Sequence, residues 1–484
     1  MPRRPMRLSE DAEAALRSAL QKLRTRLQVP AAFPPAVLAE AEAAVHAPSL
    51  PDEDATELPL FTIDPPGAKD LDQAMYLERR PGGGFRVYYA IADVAAFVPP
   101  GGALDTEAHK RVETLYFPDG KVPLHPPALS EGAASLLRDQ NAPALLWQHD
   151  LDAHGEVVRS TVRRALVRSR AQLDYAAVQR AIDAGTAEEP LVLLREVGTL
   201  RQAVEVARGG ISLDLPDQEV TFEDGQFRLT YRAQLPVDGW NEQISLMTGM
   251  AAAKIMLDSG AGVLRVQGTS APDVVARVHA IAAFLGIDWP HHLSYADLVR
   301  SLRPETNQKH AAFLHEARAM LLKAEYTSFT DHHPPALTMH AAIAAPYAHA
   351  TAPLRRLVDR YSGELAVAAC AGQDPPAWVL AALPGLPADM KRSKGSQADG
   401  GSVDIMEAAL LLHRKGEFFD AALVDTDAEK GHPERGQVQL ADPPVVARVG
   451  ADRDLSPLLG TTVRVRLDQA DPAAEHDQVL FTLS

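Results

Sequence analysis

The sequence predicts an α+β protein: a large mixed sheet-and-helix domain, preceded by a small helical module and followed by a small all-β barrel of OB type. Three observations predict it. Leucines at 4-3-4 spacing open the chain; strand and helix signals mix from Leu58 to about residue 372 with no strict βαβ repeat; five short strand signals close it, separated by Gly, Pro and Asp turns. The expected boundaries are 1–55 for the helical module, 56–372 for the large domain, 373–415 for a helical connection and 416–484 for the barrel.

In order, residues 9 to 27 read as an amphipathic helix with Ser9 as N-cap, Glu10 and Asp11 in its first turn, and Leu16, Leu20, Leu23 and Leu27 on one face. A second helix, 35 to 46, starts at Pro34-Pro35, and the acidic, proline-bearing Ala47 to Glu57 reads as a linker. A helix-turn-helix unit and a helical hairpin docked on the main domain both fit these residues. In the large domain, Phe85 to Val94 and Val157 to Val167 read as strands. Ala171 to Ala184, Leu191 to Arg208, Asn241 to Leu257 and Pro353 to Ala369 read as helices. A polar stretch, Lys391 to Gly401, leads to a helix near Asp404 to Arg414. The five strands then follow at Phe418–Val424, Gln437–Leu440, Val445–Val449, Thr461–Leu467 and Val479–Leu483.

Composition bounds the function. With 46% apolar and 23% charged residues over 484 positions, the chain is ordinary globular usage for several domains. No apolar run approaches the ~18 residues of a membrane helix, and Met1 to Arg7 lacks a signal core, so a cytoplasmic protein with no membrane partner is expected. A monomer is expected as well. The single cysteine, Cys370, rules out disulfides and Cys-based zinc sites, and its apolar run suggests core filling. A net charge of −16 argues against a protein that coats nucleic acid, while leaving room for a local basic channel beside an acidic metal centre. Arg3, Arg4, Arg7, Lys22, Arg24 and Arg26 make the amino-terminal edge basic, as either RNA contact or solvated charge.

Two constellations carry chemistry. Asp64, Asp70 and Asp72 stand within nine residues, and Pro65-Pro66-Gly67 can fold the chain so that their carboxylates meet. Hard cations such as Mg²⁺ and Mn²⁺ bind converging carboxylates. Spacing alone leaves a solvated acidic turn equally open. Further on, Tyr347, His349 and Thr351 precede a Pro-started helix carrying Arg355, Arg356 and Arg360. Arginine forks at a helix start suit phosphate oxygens, although arginine on a helix is more often a salt-bridged surface residue.

Together these motifs resemble the RNB domain of the ribonuclease II and ribonuclease R family, whose pattern runs Thr-Ile-Asp, five residues, Asp-x-Asp-Asp-Ala, and much later Tyr-x-x-x-Thr-Ser-Pro-x-Arg-Arg-x-x-Asp. Tyr89-Ala-Ile-Ala-Asp93-Val, Tyr116-Phe-Pro-Asp-Gly-Lys-Val-Pro123, Leu129-Ser-Glu-Gly-Ala-Ala-Ser-Leu136 and Arg208-Gly-Gly-Ile-Ser-Leu-Asp-Leu-Pro216 follow in the family's order between them. The resemblance implies a processive 3′-5′ exoribonuclease that hydrolyses single-stranded RNA to 5′-mononucleotides with two Mg²⁺ (or Mn²⁺) ions. It implies a metal cage of Asp64, Asp70, Asp72 and the residue at 73, and Asp72 as the aspartate most critical for turnover. Arg355 is implied on the phosphate near the cut, with Arg356 supporting it, and Tyr175 stacked on the terminal base. Tyr347, His349, Thr351 and Arg360 fall on the RNA side of the same motif, and the terminal barrel falls where the family has its S1 domain.

Several positions depart from the pattern. Gln73 replaces the fourth aspartate, so one ion should be held more weakly, or Asp93 should compensate. Ala352 replaces the serine; Gln267 to Ala271 shows no second stacking aromatic; Ala398-Asp-Gly-Gly401 replaces Ala-Glu-Arg. The ~55 residues before the domain are too few for the family's two cold-shock barrels, so a wider entrance with better tolerance of structured RNA is expected. A weakly catalytic RNA-binding scaffold and a phosphohydrolase acting on other nucleotides remain the alternatives.

Overall fold

The computed structural model describes residues 8–211, 217–223, 226–232, 234–270, 272–290, 292–303, 307–317, 322–428, 431–440 and 442–484. Arg3, Arg4, Arg7, the end of the Arg208–Pro216 motif and Ala271 lie outside them.

Helix α1 (Glu10–Arg26) begins at Ser9, whose hydroxyl oxygen accepts from the Ala12 amide, and α2 (Pro35–His46) begins at a proline that has no N–H to leave unpaired. Their apolar faces go to different places. Leu16, Leu20 and Leu23 of α1 bury against Phe117, Ile405 and Met406, whereas Val37 and Ala41 of α2 bury against Phe97 and Leu104. The two-helix unit read from the sequence is therefore two helices docked separately on the body of the protein.

The large domain is built on a closed five-stranded barrel. Its strands are β1 (Leu60–Ile63), β2 (Gln73–Arg79) and β3 (Phe85–Ala92), then, after α3 (Ala103–Arg111) and the hairpin β4 (Leu115–Phe117) and β5 (Gly120–Val122), β6 (Asn141–Leu151) and β7 (Val157–Leu173). Neighbours pair antiparallel except for the closure, where β7 runs parallel to β1 with Ile63 opposite Leu173. Alternation sorts the side chains: Met75, Leu77, Val87, Tyr89, Ile91, Leu145 and Trp147 fill one cluster, and Ala74, Ala90, Ala92, Ala144 and Ala165 the other. Against the large-residue face pack α4 (Tyr175–Asp183), α5 (Glu189–Arg208) and, after the hairpin β8 (Asp217–Glu223) and β9 (Gln226–Arg232), α6 (Pro236–Ser259).

The helix read from Ala171 starts later, at Tyr175, because Ala171 and Leu173 are held in the strand by β1 and Asp174 caps the helix. Next come β10 (Gly262–Val266), α7 (Pro272–Leu285), α8 (Tyr295–Ser301), α9 (Gln308–Ala317), β11 (Glu325–Phe329), β12 (Met339–His340) and β13 (Ala345–Pro346). Helix α10 (Leu357–Cys370) starts four residues beyond Pro353, so Arg355 and Arg356 lie on the approach to the helix and not in its first turn. Cys370, read as a core residue, is exposed at its end.

After α11 (Ala377–Ala382) and α12 (Leu386–Met390), α13 (Gly395–Leu411) begins inside the stretch read as a polar connection. Within it, a Cβ at Gly401 would stand 3.1 Å from the Leu23 methyls, so glycine there lets α1 lie close. The chain ends in a second closed barrel, β14 (Phe418–Asp427), β15 (His432–Leu440), β16 (Val446–Gly450), β17 (Thr462–Ala470) and β18 (Val479–Leu483), with Phe419 and Phe481 packed edge to face in its core. Among the described residues no helix is long and apolar enough to cross a membrane.

Candidate active site

The aspartate loop leaves β1 through a turn in which Gly67 takes φ +80° and the Ala68 amide donates to the Pro65 carbonyl. Ser135 fixes the far side of the loop, its hydroxyl donating to the Lys69 carbonyl and accepting from the Leu71 amide. Asp72 is buried. Its Oδ1 accepts from the Leu354 amide at 2.8 Å, and its Oδ2 lies 3.4 Å from Arg355 Nε. Burial pushes the Asp72 carboxyl up to about 7, against the pull of Arg355, and pushes Asp64 up to about 6, with Arg355 lowering and Asp70 raising it. Asp70 faces cations and donors of its own: Lys121 Nζ at 2.7 Å, itself 3.0 Å from Glu131, and the Tyr116 hydroxyl at 3.1 Å.

Arg355 acts through space on the buried Asp72 and the half-buried Asp64, and its side chain is 43% exposed. Its neighbour is used differently. Arg356 forks onto Asp359 with two 2.8 Å bonds, and Asp359 Oδ1 also accepts from the Thr351 and Ala352 amides, so the pair braces the segment from within. The Thr351 hydroxyl pairs with Ser245 of α6 at 2.9 Å. Thr114 N donates to the Arg355 carbonyl and Leu357 N to Val112, which ties the same segment to the end of α3. Arg360, expected on RNA, is buried: it donates to Asp105 at 2.6 Å and to the Val98 carbonyl, and it stacks on Trp378. Its charge is spent inside the fold.

Tyr347 is buried, in edge contact with His340 and His349, and it presses so closely on α6 that a Cβ on Gly249 would meet its ring at 2.2 Å. His349 Nδ1 pairs with the Tyr326 hydroxyl, and burial holds its pKa well below the usual value. Both line a cavity of about 350 Å³ with His340 and Glu242. Tyr175, at the start of α4, is half-buried, and its hydroxyl accepts from Asn241 of α6. Asp93, considered as a replacement ligand, is buried and bonded to Arg164 at 2.8 Å, which also holds Glu364; it is committed elsewhere. Gln73 reaches the Thr351 carbonyl and the Tyr89 hydroxyl.

The residues present offer hard oxygen donors in the right chemical class for Mg²⁺ or Mn²⁺, and burial raises the pKa of two of them, the buried Asp72 and the half-buried Asp64. Among the described residues, however, no three acidic, imidazole or thiol groups stand close enough to form a finished cage.

Residues 52–366 match the family model for the RNB domain. The chain belongs to the RNB family. Residues 417–481 match the model for the RNase II-type exonuclease C-terminal S1 domain. Ribonuclease R of Escherichia coli strain K12 is 29% identical over 362 residues, which is 70% of this chain and 43% of that protein, so the RNB chain spans less than half the length of this relative. The Arabidopsis thaliana protein named inactive exonuclease DIS3L2 is 42% identical over 133 residues, 27% of this chain and 12% of that one. Among solved structures, Mycoplasma genitalium RNase R with ribose methylated single-stranded RNA superposes with TM-score 0.82 at 17% identity, covering 97% of this chain and 78% of that one.

Sequence reading missed Lys121, Tyr116 and Glu131 at Asp70, and Asp359 as the hub of the arginine segment. A signal existed for each of them, since Tyr116 and Lys121 lie in one family motif, Glu131 lies in a second and Asp359 ends a third. Nothing in the sequence singled out Ser245 and Asn241 of α6.

Proposed function

We propose that this chain is a processive 3′-5′ exoribonuclease that hydrolyses single-stranded RNA to 5′-mononucleotides with Mg²⁺ or Mn²⁺. The observation that carries this reading is the buried Asp72 carboxylate held between the Leu354 amide and the half-exposed Arg355 within an RNB domain. Asp64, Asp70 and Asp72 would hold the divalent ions. Bound there, such ions supply positive charge at the scissile phosphate and a more acidic water. Arg355 stands at the solvent side of the carboxylates, where its guanidinium meets the non-bridging oxygens as their charge grows. Lys121 neutralises Asp70 at 2.7 Å, a charge balance that a bound ion would share. Tyr175 offers a flat face to the terminal base and suits an enzyme indifferent to sequence.

A scissionless RNA-binding reading is favoured by one observation, the absence of a finished three-ligand cage among the described residues. One experiment separates the readings. 5′-labelled RNA and DNA oligomers are incubated with Mg²⁺ or Mn²⁺, the native chain or Asp72→Asn. Processive RNA shortening lost in the variant supports the exonuclease; retained binding without product supports the scaffold; turnover of DNA or mononucleotides supports another phosphohydrolase. A tailed duplex in the same assay tests tolerance of structured RNA, and stalling several nucleotides short of the duplex would refute it.

A further inference from the structure

One position where this chain departs from the family pattern is also one whose side chain is bonded at both ends. Gln73 opens β2 directly after Asp72. Its Nε2 donates to the Thr351 carbonyl at 2.6 Å, and its Oε1 accepts from the Tyr89 hydroxyl at 2.8 Å, with Tyr89 fully buried in the barrel. Thr351 is the first residue of the segment that ends in Arg355. Three residues on, the Leu354 amide is held by Asp72. Two adjacent residues, the last of the aspartate loop and the first of β2, thus grip the two ends of the arginine segment, Asp72 through a carboxylate and Gln73 through an amide.

An amide is required for that grip. The Thr351 carbonyl is an acceptor, so its partner must donate, and the Tyr89 hydroxyl, already a donor here, needs an acceptor on the same group. Aspartate is one methylene shorter and offers no donor. At position 73 it would set a carboxylate oxygen against a carbonyl oxygen in a half-buried site, with the segment free to recoil. We propose that Gln73 is a positioning residue that fixes Arg355 through Thr351 and is not a metal ligand, so that the ion site draws on Asp64, Asp70 and Asp72 alone. This reverses the simple expectation that restoring an aspartate at 73 would strengthen the site. It rests on the exoribonuclease reading only for its activity measurement.

The test uses the full chain with Gln73→Asp, Gln73→Ala and Tyr89→Phe. Three quantities are read: kcat and KM on an RNA oligomer at saturating Mg²⁺, the number and affinity of bound Mn²⁺ ions by paramagnetic resonance, and RNA-binding stoichiometry in EDTA. Both Gln73 variants should lower kcat about 10- to 100-fold with KM little changed, as expected when a group is displaced by about an ångström. Mn²⁺ number and affinity should stay at native values for Gln73→Ala. RNA stoichiometry should also hold, which a partly unfolded population would not allow. If Gln73→Ala fails to fold, Tyr89→Phe, which deletes one hydroxyl, should still lower kcat without altering Mn²⁺ binding. Loss of an ion or a tenfold weaker Mn²⁺ affinity in Gln73→Ala overturns the proposal, as does native kcat in Gln73→Asp. A native chain that binds RNA and Mn²⁺ but never cuts would refute the exoribonuclease reading, and the Mn²⁺ measurement would still decide the role of Gln73.

Discussion

Arg355 and Arg356 are adjacent and chemically identical, yet their surroundings assign them opposite work. Arg355 has one carboxylate at 3.4 Å and a side chain 43% exposed, whereas Arg356 spends both fork nitrogens on the buried Asp359. Replacing Arg355 by alanine should therefore cut kcat by about 10²- to 10³-fold, the usual loss when a transition-state charge partner goes, with little change in melting temperature. Arg356→Ala strands a buried carboxylate and should destabilise the fold by about 3–5 kcal/mol, visible as a large drop in melting temperature before any assay of activity. Residue type alone read both, and Arg360 with them, as one phosphate clamp. The difference lies in which acid each guanidinium meets, and Asp359 and Asp105 are brought there by backbone paths that local spacing does not encode. The turn of the aspartate loop was more legible, because Pro65, Pro66 and Gly67 dictate it locally.

Helix α13 joins the RNB domain to the terminal barrel, and Glu407 is its buried fastening. One Glu407 oxygen accepts from the Val446 amide of β16 and from Gln218 of β8, both at 2.6 Å. Burial pushes its carboxyl from 4.5 up to about 8. In that interval the folded protein keeps a proton that the unfolded chain releases, so this group makes stability fall as pH rises from about 4.5 to 8. Glu407→Gln keeps the acceptor and removes the ionisation. It should raise the melting temperature at pH 7.5 relative to the native chain and leave it nearly unchanged at pH 4.5. Helix α1 makes a second prediction at this scale: Leu20→Ala should cost about 2–5 kcal/mol, because Leu20 is fully buried against a helix almost 400 positions away. A free-standing amino-terminal module would tolerate the change without loss in the rest of the chain. The periodicity of α1 and α2 was plain in the sequence, since caps and leucine spacing are local. Their destinations, and the helical nature of Gly395 to Gly401, depended on distant surfaces and were not.

At the scale of the whole molecule, the proposed function requires a chain of net charge −16 to concentrate its cations where the strand runs. Its RNA affinity should fall steeply with salt, by at least about tenfold between 50 and 200 mM for even a few phosphate contacts, and filter binding with Asp72→Asn in EDTA would measure this without turnover. A flat salt response would refute a strand path lined by arginine and lysine. The α+β class, the central domain and the terminal five-stranded barrel were all readable from strand and helix signals. The closure of β7 onto β1 was not, because a parallel pairing over more than a hundred residues leaves no local mark. The bond between the Leu354 amide and Asp72 spans 282 positions. On a ribosome, Asp72 is therefore made long before its partner exists, and the arginine segment can be seated only after nearly all of the RNB domain has emerged. Long-range closure of this kind is slow, so a nascent or refolding chain should regain compactness before the arginine segment is seated, and the proposed cutting of RNA should be the last property to return.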